Sequence, residues 1–245
     1  MKEVDWLLEE KYNGEKSSGF FTDLKRLEDG EPLAYVIGFV PFLNTKIYLD
    51  SHPLIPRVET EFWVEKAIEE IAASGISEPK VLDLCAGSGC IGSAVAKAIP
   101  TALVDFAELQ TEHHSVILKN CRMNGIEESR IRVFDGDLFE KITDQYDYIL
   151  SNPPYIDPTL DRTEGSVKNF EPHVALYGGD AGMEIIERII KAAPQHLTPN
   201  GRLYIEHEPE QSETIKILAE KHDLEAKTHQ DQYGVLRYSR LKKGL

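Results

Sequence analysis

The chain has 245 residues and a mass of 27.7 kDa, with 41% hydrophobic and 28% charged residues; this excludes a collagen-like or wholly disordered chain and leaves room for a core that needs no disulfide or metal staple. Asp and Glu number 42 against 27 Lys and Arg, a formal net charge of −15, so the surface repels phosphate backbones unless a local basic patch compensates. No apolar window is long enough for a membrane span, and the acidic start MKEVDWLLEEKYNGEK lacks an apolar signal core, so an unprocessed cytoplasmic protein with no membrane partner is expected.

Residues 3–29 read as helical, with breaks at Asn13-Gly14 and Ser17-Ser18-Gly19. Residues 35–49 are rich in β-branched and aromatic residues, and Asn44-Thr45 between two apolar runs predicts a hairpin. Residues 1–55 are therefore taken as a small helical segment with a linker hairpin, and residues 56–245 as the main domain. From Thr60, the spacing of Val64, Ala67, Ile68, Ile71 and Ala72 predicts an amphipathic helix. Strands and helices then alternate: strands over 80–84, 102–106, 131–134, 146–150, 202–206 and 235–241, helices over 91–99, 111–123, 183–197 and 213–221. Such alternation means a mostly parallel sheet covered on both faces, with ligands at the carboxyl ends of its strands. The cysteines Cys85, Cys90 and Cys121 cannot all pair and read as reduced thiols; no second ligand pair accompanies Cys85 and Cys90, so no metal is expected. The basic run Arg237, Arg240, Lys242, Lys243 reads as a solvated C-terminus, so no nucleic-acid partner is expected.

The chemistry gathers on the loops after the strands. The first strand of the alternating region ends in VLDLCAGSGCIG, where Gly87, Gly89 and Gly92 match G-x-G-x-x-G between a strand and a helix. Glu108 ends the next strand, where a carboxylate can hold both hydroxyls of a ribose. A dinucleotide and S-adenosylmethionine (SAM) both satisfy that spacing. Asp83, just before the glycines, leans toward a ligand with a cationic amino-acid end, because it would repel a pyrophosphate. Asp137 follows the third strand, near where an adenine amino group would lie. Acids capping turns are the plain alternative for any one of them; three on successive strand ends make a nucleoside site.

The strand over 146–150 runs into Asn152-Pro153-Pro154-Tyr155. The prolines fix the backbone and remove two donors. The turn then offers two acceptors, the Asn152 side-chain oxygen and the Pro153 carbonyl, which suit the two hydrogens of a planar –NH2 group. Tyr155 can pack on the flat group. Alone, this would be an ordinary Pro-rich turn.

Together the motifs resemble the HemK/PrmC family of SAM-dependent methyltransferases, which methylate a glutamine side-chain nitrogen in peptide-release factors. EPLAYVIG at 31–38 resembles the family's linker, and LIPRVETE at 54–61 its I-P-R-P-E-T-E, with Val58 for the second proline. DLCAGSGCIG resembles D-L-G-T-G-S-G-x-I, with Cys85-Ala86 for Gly-Thr. NPPYI matches unchanged, while FEPHVAL and GGDAGM resemble F-E-P-x-x-A-L and the segment after it. IEHEPEQ lacks the glycine of E-x-G-x-x-Q. NPPY alone is shared with other amino-methyltransferases; the set is far more specific.

The resemblance implies a Rossmann-like α/β fold with a mostly parallel seven-stranded sheet, helices on both faces, and a small N-terminal helical segment with a hairpin. It implies SAM as cofactor, S-adenosylhomocysteine as product, and a release factor as partner, its Gly-Gly-Gln loop being the target. A monomer is expected. Asp83, Cys85, Ala86, Gly87, Ser88, Gly89, Glu108, Asp137, Leu138 and Asn152 would contact SAM. Asn152, Pro153, Pro154 and Tyr155 would hold the glutamine amide, with Asn152, Pro153 and Tyr155 at the chemistry, and Arg57 and Glu61 would shape the mouth. The family carries a longer helical domain before the linker than the roughly thirty residues here, so docking is expected to be weak, with a high KM rather than a low kcat. An adenine-N6 nucleic-acid methyltransferase or another protein-glutamine methyltransferase is the alternative. A degenerate binding subunit is disfavoured by the intact motif residues, and an oxidoreductase leaves Asn-Pro-Pro-Tyr unexplained.

Overall fold

Ser17 sets the first boundary. Its side chain accepts the Phe20 N–H, satisfying a donor left over at a helix start, and separates α1 (Lys2–Tyr12) from α2 (Ser18–Glu28). The computed structural model describes residues 2–160 and 165–244. Pro32 and Gly38, the latter at φ 96°, bracket a short helix, α3 (Leu33–Ile37). Residues 35–37, expected to open the hairpin, are therefore helical: a proline before and a left-handed glycine after favour a helical turn over a strand. The hairpin itself is β1 (Phe39–Phe42) and β2 (Thr45–Tyr48), with Phe42 opposite Thr45. Its turn is thus Leu43-Asn44 rather than Asn44-Thr45. The Thr45 hydroxyl donates to the Phe42 carbonyl (2.6 Å), which holds Thr45 in the strand.

Next come α4 (Val58–Ala73), β3 (Lys80–Leu84), α5 (Cys90–Ala98), β4 (Leu103–Glu108), α6 (His114–Met123) and β5 (Ile131–Asp135). They are followed by β6 (Tyr146–Ser151), α7 (Gly165–Phe170), α8 (Glu184–His196), β7 (Leu197–Glu206), α9 (Ser212–Lys221), β8 (Leu224–Gln230) and β9 (Leu236–Lys243). The seven-stranded sheet runs β5-β4-β3-β6-β7-β9-β8. Strands β5 to β7 are parallel, and β9 is antiparallel to both its neighbours. Strand β8 lies outside the strands read from apolar runs, because its sequence LEAKTHQ occupies a half-exposed sheet edge. The basic run lies in the expected closing strand, β9, but its reading as a solvated C-terminus is corrected, because β9 runs between two strands and its basic side chains are paired. Arg237 pairs with Asp231 (3.2 Å), Arg240 with Glu70 (2.6 Å) and Lys242 with Glu225 (2.8 Å), while Lys243 donates to the Leu197 carbonyl (2.7 Å).

Alternate residues of each strand feed two cores, one per sheet face. Phe106, Tyr148 and Leu150 meet Trp63, Val64 and Val95; Ile149, Leu203 and Ile205 meet Ile186, Ile189 and Ile190. Each fully buried side chain of this size contributes about 1.5–3 kcal/mol. The hairpin side chains Phe42 and Ile47 share the first of these cores, while Leu7, Phe20 and Val36 of α1–α3 make a small one of their own. Gly92 lets α5 lie close on the sheet: a Cβ there would sit 2.3 Å from the Phe106 ring. From β3 the chain moves outward to β4 and β5, then returns to β6 on the other side. The switch point, where such sheets bind ligands, is therefore at the carboxyl ends of β3 and β6. Among the described residues no helix is long and apolar enough to cross a membrane.

Candidate functional site

The loop after β3 turns at Cys85, whose φ is 62°. A side chain in that region costs about 1–3 kcal/mol unless its surroundings hold it. Asp83 provides the hold from below. It is fully buried, and one of its carboxyl oxygens accepts the Gly92 N–H at 2.8 Å, tying β3 to the start of α5. Its other oxygen is buried without a hydrogen-bond partner. Burial, helped by the nearby Glu108 charge, pushes the Asp83 pKa from 3.8 up to about 8.

The direction of that shift sets a pH dependence. The folded protein keeps a proton that the unfolded chain releases above its ordinary pKa. Stability from this carboxyl is therefore complete below pH 3.8 and is lost as the pH rises through about 8. Asp83→Asn, neutral throughout, is expected to flatten that fall. Urea midpoints at pH 5 and pH 8 for both proteins are the measurement; parallel losses would show that Asp83 does not carry the dependence.

Over the glycine loop lies a cavity of about 210 Å³ lined by Cys85, Ala86, Gly87, Ser88, Glu108 and Asp137, among others. Leu109, Leu138 and Ile185 supply apolar wall. Glu108 is the central acid of the lining. Its Oε2 accepts the Gly87 N–H (2.7 Å) and its Oε1 the Gln110 N–H (2.8 Å), so it clamps the loops after β3 and β4. A carboxylate has about four lone-pair positions, so two remain for a ligand. Asp137 pairs with Arg188 at 2.7 Å. His113 also lines this cavity, between Ser51 (2.8 Å) and Gln110 (3.0 Å), and burial lowers its pKa. Burial pushes the Cys85 and Cys90 thiols up, away from the reactive thiolate.

A second cavity of about 390 Å³ adjoins the first. Arg57, Pro153, Tyr155, Leu176 and Met183 line it, and Asn152 lines both. The loop carrying Asn152 is held from three sides. Ser151 donates to the Leu84 carbonyl (2.8 Å), and Ile156 bridges to Tyr177. Gln211 donates to the carbonyls of Tyr155 (2.8 Å) and Ala181 (3.1 Å). Gly182 permits this closeness: at φ 68°, a Cβ there would meet the Tyr155 carbonyl oxygen at 2.0 Å. Arg57 pairs with the buried Glu171 (2.6 Å), which also accepts the Ile55 N–H (3.0 Å), joining the IPR and FEP motifs at the rim.

Beneath Asn152 lies buried Glu206. Its Oε2 accepts from Thr60 (2.7 Å) and the Trp63 indole (2.6 Å), and its Oε1 from the Tyr155 hydroxyl (2.9 Å). Asn152 Nδ2 donates to Thr60 Oγ1 at 3.1 Å. Burial raises the pKa of Glu206, and burial beside Glu206 raises that of Tyr155.

Four residues are placed differently from the sequence reading. Asp83 and Gly89 do not line the cavity; the first lies beneath the loop, and the second is packed against Ile117 and Phe106. Glu61 does not reach either cavity mouth, because its carboxylate accepts the Leu43 N–H at the hairpin turn. Pro154 lines the glycine-loop cavity rather than the one beyond it. Thr60, Glu206, Gln211 and His113 carry no expected role in the sequence, yet the first three brace the Asn152 turn and His113 lines the glycine-loop cavity.

Residues 66–169 match the model of the methyltransferase small domain. The chain is 32% identical over 240 residues to a protein of Lactococcus lactis subsp. lactis named release factor glutamine methyltransferase, an alignment covering 96% of this chain and 86% of that one. A protein of the same name from Geobacter sulfurreducens is 38% identical over 188 residues, covering 76% of this chain and 63% of the relative. Among solved structures, a methyltransferase from Pyrococcus furiosus superposes with a TM-score of 0.61 at 17% identity, covering 91% of this chain and 99% of the other, a likeness of fold.

Proposed function

The chain belongs to the family of release factor glutamine methyltransferases, and on that premise we propose that it transfers a methyl group from SAM to the side-chain nitrogen of the glutamine in the Gly-Gly-Gln loop of a peptide-chain release factor. The observation that carries this reading is that two adjoining cavities share Asn152 in their walls, beside Leu54 and Ala175. One cavity has the acids of a nucleoside site, and the other has a rigid Pro-rich rim.

The residues present fit an S-adenosyl ligand. Glu108 has lone pairs left for two ribose hydroxyls, Asp137 stands where an amino group can donate, and Leu109, Leu138 and Ile185 offer apolar wall to a ring. When bound there, SAM supplies an electrophilic methyl on a sulfonium. The rest is done by the chain. An amide nitrogen is a poor nucleophile, so the gain must come from orientation. Asn152 and the Pro153 carbonyl accept the two amide hydrogens and direct the nitrogen face toward the junction. Leu54, Leu176 and Met183 line the apolar part of the cavity against the aliphatic stem of the glutamine. As the nitrogen gains positive charge on attack, the same two acceptors stabilise it.

The test is transfer of labelled methyl from SAM to three substrates: a release factor, its Gln→Ala form, and mixed nucleic acid. Label is expected on the first alone. The paired basic side chains of β9 offer no patch for phosphates, and a nucleic-acid enzyme would need several. Label on nucleic acid, or equal label on both protein forms, would overturn the glutamine reading in favour of an adenine one.

A further inference from the structure

An asparagine amide can lie two ways, and only one presents its oxygen to the acceptor. The neighbours of Asn152 decide which. The Trp63 indole N–H can only donate, so Glu206 Oε2, at 2.6 Å, accepts it. The Thr60 hydroxyl reaches the same oxygen at 2.7 Å. Ionised, Glu206 has no proton to return, so the single hydroxyl hydrogen of Thr60 is committed to it. Toward its second neighbour, Thr60 Oγ1 can then only accept. That neighbour is Asn152, 3.1 Å away. The Nδ2 of Asn152 must face Thr60, which leaves its Oδ1 turned away from Thr60. Thr60 and Glu206 are each 1% exposed, so bulk water does not compete for these bonds.

We propose that Thr60 and Glu206 are positioning residues for methyl transfer, fixing the flip of the Asn152 amide so that its oxygen is available to the acceptor's –NH2. The inference rests on the glutamine reading above. The same carboxylate takes the Tyr155 hydroxyl at 2.9 Å, so one buried group on β7 orients both side chains of the Asn-Pro-Pro-Tyr turn. The alternative is that the cluster merely fastens α4 to the sheet. Thr60→Val separates the two, because it keeps the volume and removes the hydroxyl to which Asn152 Nδ2 donates.

The experiment measures kcat, both KM values and the melting temperature for the wild type, Thr60→Val, Thr60→Ser and Glu206→Gln, with SAM and a release factor as substrates. Thr60→Val is expected to lose about tenfold in kcat, the factor of one hydrogen bond, with both KM values little changed. Thr60→Ser is expected to recover most of that loss whatever its melting temperature. Glu206→Gln keeps an oxygen for Trp63 and Thr60, so it should lose less than Thr60→Val. If Thr60→Val does not fold, Thr60→Ala removes the same hydroxyl and is read in the same way. An active wild type with an unaffected Thr60→Val kcat, or a Thr60→Ser as slow as Thr60→Val, overturns the positioning role and leaves the glutamine reading standing. A wild type that does not act on the release factor's glutamine overturns both.

Discussion

Replacing Asn152 with alanine is expected to lower kcat by about 10²–10³, the order lost when one preorganised polar group is removed from a reacting centre. Asn152 is the polar side chain among the three residues that line both cavities, and it sits on a turn braced by Ser151, the Ile156 bridge and Gln211. Little else should move, because those braces act on the backbone. SAM affinity is therefore expected to stay nearly intact, since the glycine loop and Glu108 are untouched. Single-turnover rates and SAM titration of the same preparation measure the two separately. If SAM binding collapsed while the rate per bound SAM survived, Asn152 would belong to the cofactor and not to the acceptor.

The second large effect is on the cofactor side. Glu108→Ala removes an acid whose charge-assisted bonds are worth roughly 1.5–3 kcal/mol each. It also frees the Gly87 and Gln110 N–H groups that set the loops after β3 and β4. SAM affinity is expected to fall at least about tenfold, with kcat at saturating SAM much less affected. Calorimetry gives the affinity directly, and an unchanged value would remove Glu108 from the site.

The parts of the fold that the sequence made legible are those where one cause dominates. Strands β3, β4 and β6 are short apolar runs buried on both sides, and the loops after them carry their glycines, acids and prolines openly. Strand β8 was hidden because an edge strand keeps charged residues, so LEAKTHQ has no apolar run to read. Helix α3 was hidden because its apolar residues suit a strand equally well, and only Pro32 and Gly38 tip the balance. At the site, acidity at a strand end was visible, but its direction was not. Asp83 and Glu108 look alike in sequence; the first is sealed beneath the loop holding Gly92, and the second faces the cavity. Glu61 is in the same motif as Thr60, one residue on, yet it faces the hairpin while Thr60 faces Glu206. Contacts such as Thr60 to Glu206, 146 residues apart, have no local signature at all.

The central claim is methyl transfer to one glutamine of a release factor. Mass spectrometry of release factors from cells with and without this protein tests it most directly. The Gly-Gly-Gln loop peptide should carry the mass of one added CH2, located by fragmentation on the glutamine side chain, only in cells that hold the protein. The same loop mass in both cells, or a methyl located on another residue, would contradict the account.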